Sequence, residues 1–239
     1  MSADGMGWLA HLAAMDSPAL PAPWVVHLWL SLGWSVVLAC AVAVIGLAWP
    51  VRWRMAAAGL VAMGCWFAGP YAPTHWLGMA FQSPSITSVL LCAVFLHGAF
   101  FRSTQSGHPS DAGDSRWHLR LAVFGVGLGW VLLLDTLAVL PMAVYAWGFS
   151  PAAAVAAFAV LMVPWVCHRG ERGMDAKLWV APLAVLCFAT VRLPTGNVWD
   201  ALLDPWLWGA LHVYAVRGLL QVSRRSKAYG GKPASMRRP

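Results

Sequence analysis

Charge is what this sequence has least of: only 10% of its 239 residues are Asp, Glu, Lys or Arg. A soluble domain carries about 25%. With 60% apolar residues and a mean hydropathy of +0.65, the chain has too little polar surface to keep a globule of this size wet. We therefore set aside a soluble enzyme, a disordered chain and a nucleic-acid-binding domain. An all-α, polytopic membrane protein is the expected class.

Other absences narrow the chemistry. The five cysteines, Cys40, Cys65, Cys92, Cys167 and Cys187, include no C-x-x-C pair, and all fall within or beside apolar stretches. That excludes a disulfide framework and a zinc finger. There is no H-E-x-x-H, C-x-x-C-H, G-x-S-x-G or Walker loop. Haem would need two facing imidazoles at one depth; His27 and His212 lie on different stretches at the outer side and His97 near the inner end, which is no haem motif by itself. His75 and Met79 stand at i, i+4, but two ligands on a segment of unknown helicity are a weak copper signal. No cofactor and no metal are expected on this reading. The first 23 residues hold no Lys or Arg, so a secretory signal with a basic n-region is not expected either.

Seven apolar stretches are present, at 24–49, 54–69, 84–101, 119–140, 151–167, 178–193 and 205–222. A helix needs about 20 residues to cross a 30 Å hydrocarbon core, so the second and sixth are short. The segment 70–83 is too short to cross and reads as an interfacial loop or half-helix. With the N-terminus outside and the C-terminus inside, all of the 16 Lys and Arg except Arg192 fall on the inner side or at its edge. That is the distribution the positive-inside rule requires. The expectation is a seven-helix bundle, N-out/C-in, in a bacterial-type inner membrane. An outward arm covers 1–23, the transmembrane domain 24–222 with an inner linker at 102–118, and a disordered basic tail 223–239. A retinal pigment, which seven spans would also permit, is excluded: the last stretch has no lysine for a Schiff base.

Many of the 16 tryptophans lie at stretch ends, where an aromatic belt would place them. Gly125 and Gly129 form a G-x-x-x-G pair, read as close packing against the neighbouring fifth stretch with its run of alanines. Asp135 is the most informative residue. It lies about 7.5 Å inside the outer end of the fourth stretch at 1.5 Å per residue, where a lone carboxylate is costly. Arg192 is its expected partner, with His212 at similar depth and His27 nearer the surface. Among the outer loops, His75, Asp200 and Asp204 are the candidates for chemistry. Trp199, Leu202, Leu203 and Trp206 recur at i, i+3, i+4, i+7, so 193–208 reads as an interfacial helix with Asp200 and Asp204 on its wet flank.

No catalytic constellation emerges, and no internal repeat supports an inverted-repeat transporter. The expected function is a non-catalytic accessory or assembly subunit, partnered by lipid and by another membrane protein, not by nucleic acid. A small permease with a polar site in the outer half is the alternative. A membrane-embedded enzyme acting on a lipid-linked substrate at the outer face is the third reading.

Overall fold

A computed structural model describes residues 20–67, 69–101, 112–167 and 176–230, with the backbone alone at 112–116, 176 and 224–230. The arm at 1–19, the linker at 102–111 and the tail at 231–239 lie outside the described residues. Every described element is helical, and among the described residues there is no strand. The helices are α1 (Pro23–Ile45), α2 (Val51–Gly64), α3 (Pro73–Phe81), α4 (Ile86–Phe101), α5 (Ala112–Thr136) and the short α6 (Val144–Trp147). They continue with α7 (Pro151–Leu161), α8 (Val163–Cys167), α9 (Val180–Val191), α10 (Val198–Leu202) and α11 (Pro205–Gly230).

Prolines set several starts. Pro23, Pro73 and Pro151 each open a helix at a position where a missing N–H costs nothing. Two helices are long and apolar enough to cross a membrane, Pro23–Ala48 with 26 residues and Trp117–Thr136 with 20. The apolar helices at Ile86–Phe101, Pro151–Cys167 and Lys177–Val191 are shorter.

Two boundaries differ from the sequence reading. Helix α5 starts at Ala112, inside the segment assigned to the linker, and α11 continues through 223–230, assigned to the tail. Residues 223–229 contain no glycine or proline, and Arg, Lys and Ala are good helix formers, so nothing stops the helix before Gly230.

Helix α1 packs against α2 and α4, and α9 touches α4, α7 and α10. The core is built where these meet, from Ile86, Ala153, Ala157, Ala184, Phe188, Val198 and Trp199 with their neighbours. Its small residues let the helices approach closely. A separate antiparallel pair joins α5 to α11. A Cβ added at Gly125 would meet Leu211 at 2.8 Å, and one at Gly129 would run into Trp208. The G-x-x-x-G face thus lies against the last helix, not against the alanines of α7, which pack on α9 instead. Adjacency in sequence was the wrong guide to adjacency in space.

Helix α4 runs along α1 in the same direction, and α3 lies against α1 at the level where α4 begins. Gly78 approaches Leu30, the Trp34 indole N–H donates to the Gln82 carbonyl at 2.9 Å, the Trp29 indole N–H donates to the Pro84 carbonyl at 3.0 Å, and Gly33 meets Pro84 and Val89. At the far end, Arg54 of α2 is 93% buried by its 7% exposure and donates from Nη2 to the carbonyl of Ala99 at 3.0 Å. A cation at the last carbonyls of a helix is favoured by the helix dipole.

Candidate functional site

The segment 193–204 is the hub of the polar interactions. Leu193, Asn197, Val198, Trp199 and Ala201 are all buried. This corrects the reading of an interfacial helix with a wet flank. Its i, i+3, i+4, i+7 pattern is split between α10 and α11 by extended Leu203, and α10 is packed into the core rather than laid on the surface.

Asn197 explains how the segment is fixed. Its Oδ1 accepts from the Trp199 N–H at 2.9 Å, capping α10. Its Nδ2 donates to the Tyr145 carbonyl at 2.9 Å, while the Val198 N–H donates to the Gly148 carbonyl at 3.0 Å. The Trp199 indole N–H donates to the Val144 carbonyl at 2.9 Å. The chain from 197 to 199 is thereby zipped to 144–148. The sequence places Asn197 only among the polar outer-loop residues, at the end of a turn; its signal as a cap is its position directly before Val198–Leu202.

Asp200 faces the same loop. Its Oδ2 accepts from the Tyr145 hydroxyl at 2.8 Å and from the Thr195 hydroxyl. Burial pushes its carboxyl above the ordinary carboxylate range, with the two hydroxyl bonds pulling the other way. Burial and the neighbouring Asp200 charge push the Tyr145 phenol up as well, so it stays a donor. Asp204 is used at both oxygens: Oδ1 accepts from Leu207 N–H at 2.7 Å, capping α11, and Oδ2 accepts from Ser85 N–H at 2.9 Å. One carboxylate thus holds the first turns of α11 and α4 together.

Asp135 and Arg192 are not paired. Helix α5 stops at Thr136 rather than at 140, so Asp135 sits in its last turn. Its Oδ2 accepts from the Tyr145 N–H at 2.7 Å, the first turn of α6. Arg192 closes α9 with φ 56°, in the left-handed region, and its guanidinium lies 5.3 Å over the Phe188 ring. His212 also has partners other than Asp135. The Trp130 indole, a donor only, bonds its Nε2 at 3.2 Å, which leaves Nδ1–H to donate to the Trp208 carbonyl at 2.8 Å. His27 lies elsewhere, in a cleft of about 460 Å³ that His75 also lines.

A second cleft, of about 300 Å³, lies between the end of α3 and the hub, lined by Gln82, Ser83, Thr195, Asp200 and Asp204. Gln82 adopts φ 60° and ψ −147°, close to a region open mainly to glycine. Its carbonyl is held by Trp34. Among the described residues no three His, Cys, Asp or Glu side chains gather as a metal site. No protein-family model matches the chain, and neither a curated protein nor a solved structure is detectably similar to it.

Proposed function

We propose that the chain is a multi-pass protein of a bacterial-type inner membrane, N-out/C-in with seven spans, acting as a non-catalytic accessory or assembly subunit. The observation that carries the non-catalytic reading is the occupancy of its polar groups. Asp135, Asp204, Asn197 and His212 each bond the chain's own loops and helix ends. A catalytic acid, base or nucleophile needs a free valence aimed at substrate, and these side chains are occupied in joining elements.

The membrane part of the reading is supported by the surface. Ile45 of α1, Leu60 and Met63 of α2, and Val155 of α7 are 78, 72, 71 and 68% exposed. Apolar exposure on this scale is stable in lipid and aggregation-prone in water. In a gentle detergent, a second polypeptide should stay with the full-length protein in fixed stoichiometry through successive separations, as read by native mass spectrometry. Recovery as a lone, monodisperse chain from its native membrane would overturn the subunit reading.

A permease is favoured by one specific feature. The break between α3 and α4 meets the hub in the cleft of Gln82, Thr195 and Asp200. Interrupted helices lining a polar cavity are how many transporters build substrate sites.

A further inference from the structure

Two imidazoles and a thioether from two helices line one cleft. His27 comes from α1, and His75 and Met79 come from α3. Two contacts tie these helices together beside the cleft. Trp34 and Gln82 are bonded at a separation of 48 residues. Leu30 and Gly78, whose Cβ would meet the leucine at 3.1 Å, have the same offset. His27, Ser31, His75 and Met79 line the same cleft beside them. Because 73–81 is helical, His75 and Met79 at i, i+4 lie one above the other on the face that lines the cleft. Gly78 sits in that stretch, where the missing side chain lets α3 close onto α1.

These donors differ from the hub in being unoccupied by the protein. Among the described residues no group hydrogen-bonds either imidazole. Their one ring contact is His75 edge-on to Trp76, at 5.4 Å between centroids. Among the described residues no carboxylate, lysine or arginine lines the cleft; Leu30, Phe67, Ser31 and Thr74 form part of its wall. Two imidazoles and a thioether with no carboxylate beside them match a soft, monovalent d¹⁰ ion. Thioethers select copper(I), whereas hard divalent ions seek carboxylate and carbonyl oxygen.

We propose that His27, His75 and Met79 bind one copper(I) ion in the cleft between the N-terminal half of α1 and α3. The site is separate from the Asp200 hub and does not rest on the accessory-subunit reading. In the test, the full-length protein in detergent is stripped of metal and titrated anaerobically with copper(I) buffered by a chromophoric chelator. Binding should saturate at one ion per chain, and X-ray absorption should show nitrogen and sulfur neighbours.

His27→Ala and His75→Ala should each weaken binding by more than the roughly 10–100-fold that loss of an outer-shell partner costs. Met79→Leu, an apolar exchange at an exposed position, should remove the sulfur signal and weaken copper(I) while leaving the melting temperature unchanged. That variant keeps the test decisive should either histidine variant misfold. The proposal is overturned if the folded wild type takes up no copper. It is equally overturned by copper bound without a sulfur neighbour, by copper indifferent to the histidine changes, or by zinc(II) held in preference to copper(I).

Discussion

Asp200 keeps its carboxylate where two hydroxyls reach one oxygen, yet burial still holds its carboxyl above the ordinary value of 3.8. The folded chain therefore binds this proton more tightly than the unfolded chain does. Its contribution is greatest below the unfolded value and is lost as pH rises through the raised folded one. Asp200→Asn retains an acceptor for both hydroxyls and removes the charge. Melting curves in detergent should lose their acid-range slope in this variant, with a midpoint at neutral pH no lower than wild type. A lower midpoint at every pH would show the charge to be stabilising. Gly148 makes a second test at this scale, because an added Cβ would run into Asn197 Oδ1 and the Trp199 indole. Overpacking costs about 1–3 kcal/mol, so Gly148→Ala should lower the denaturation midpoint, and an unchanged midpoint would refute the zipped loop. Neither contact was legible in the sequence. Gly148 and Asn197 are joined by no periodicity, and the depth argument that matched Asp135 to Arg192 fixed a level without fixing a neighbour.

Helix ends carry the next level of the fold. At the end of α5, the N–H groups of Ala138 and Val139 donate to the carbonyls of Asp135 and Leu134 at 2.9 Å, with Ala138 at φ 54°. This is a Schellman turn with alanine where glycine is usual. The left-handed conformation costs an L-residue roughly 1–2 kcal/mol, offset by glycine's extra entropy of roughly 0.5–1 kcal/mol. Ala138→Gly should thus stabilise by up to about 1.5 kcal/mol; a loss of stability would contradict the turn. Asp204→Ala should do the opposite. It removes the α11 cap, worth about 0.5–2 kcal/mol, and leaves the buried Ser85 N–H unpaired, worth about 1–3 kcal/mol more. Asp204→Asn should recover most of that loss in the same unfolding measurement. The helices themselves were legible because apolar runs and prolines mark them. What each apolar stripe faces was not: the pattern over Trp199–Trp206 signals one greasy face equally well for lipid, interface or core, and here α10 went to the core.

For the whole molecule, relative helix direction is the strongest link between sequence and structure. Alternating spans require the first and third to run the same way, and the fourth and seventh to run oppositely. The contacts agree: α4 follows α1 from Gly33 toward the end where Arg54 meets Ala99, and α5 and α11 are antiparallel through Gly129–Trp208, Gly125–Leu211 and Leu119–Gly218. In the proposed membrane arrangement charge would select the orientation, since Lys and Arg near the ends of spans stay on the cytoplasmic side. Reporters fused after residues 110, 172 and 239 should read inside, and one fused after residue 142, between α5 and α6, should read outside. The fusion at 142 is the most discriminating. It follows one of the two helices long enough to cross unaided, so it reads the direction of α5 without help from the shorter helices. An inside reading there, together with an inside reading at 110, would mean that α5 does not cross. Its partner α11 would then lose the antiparallel mate against which Trp208 and Leu211 pack, and the seven-span arrangement would fail with it.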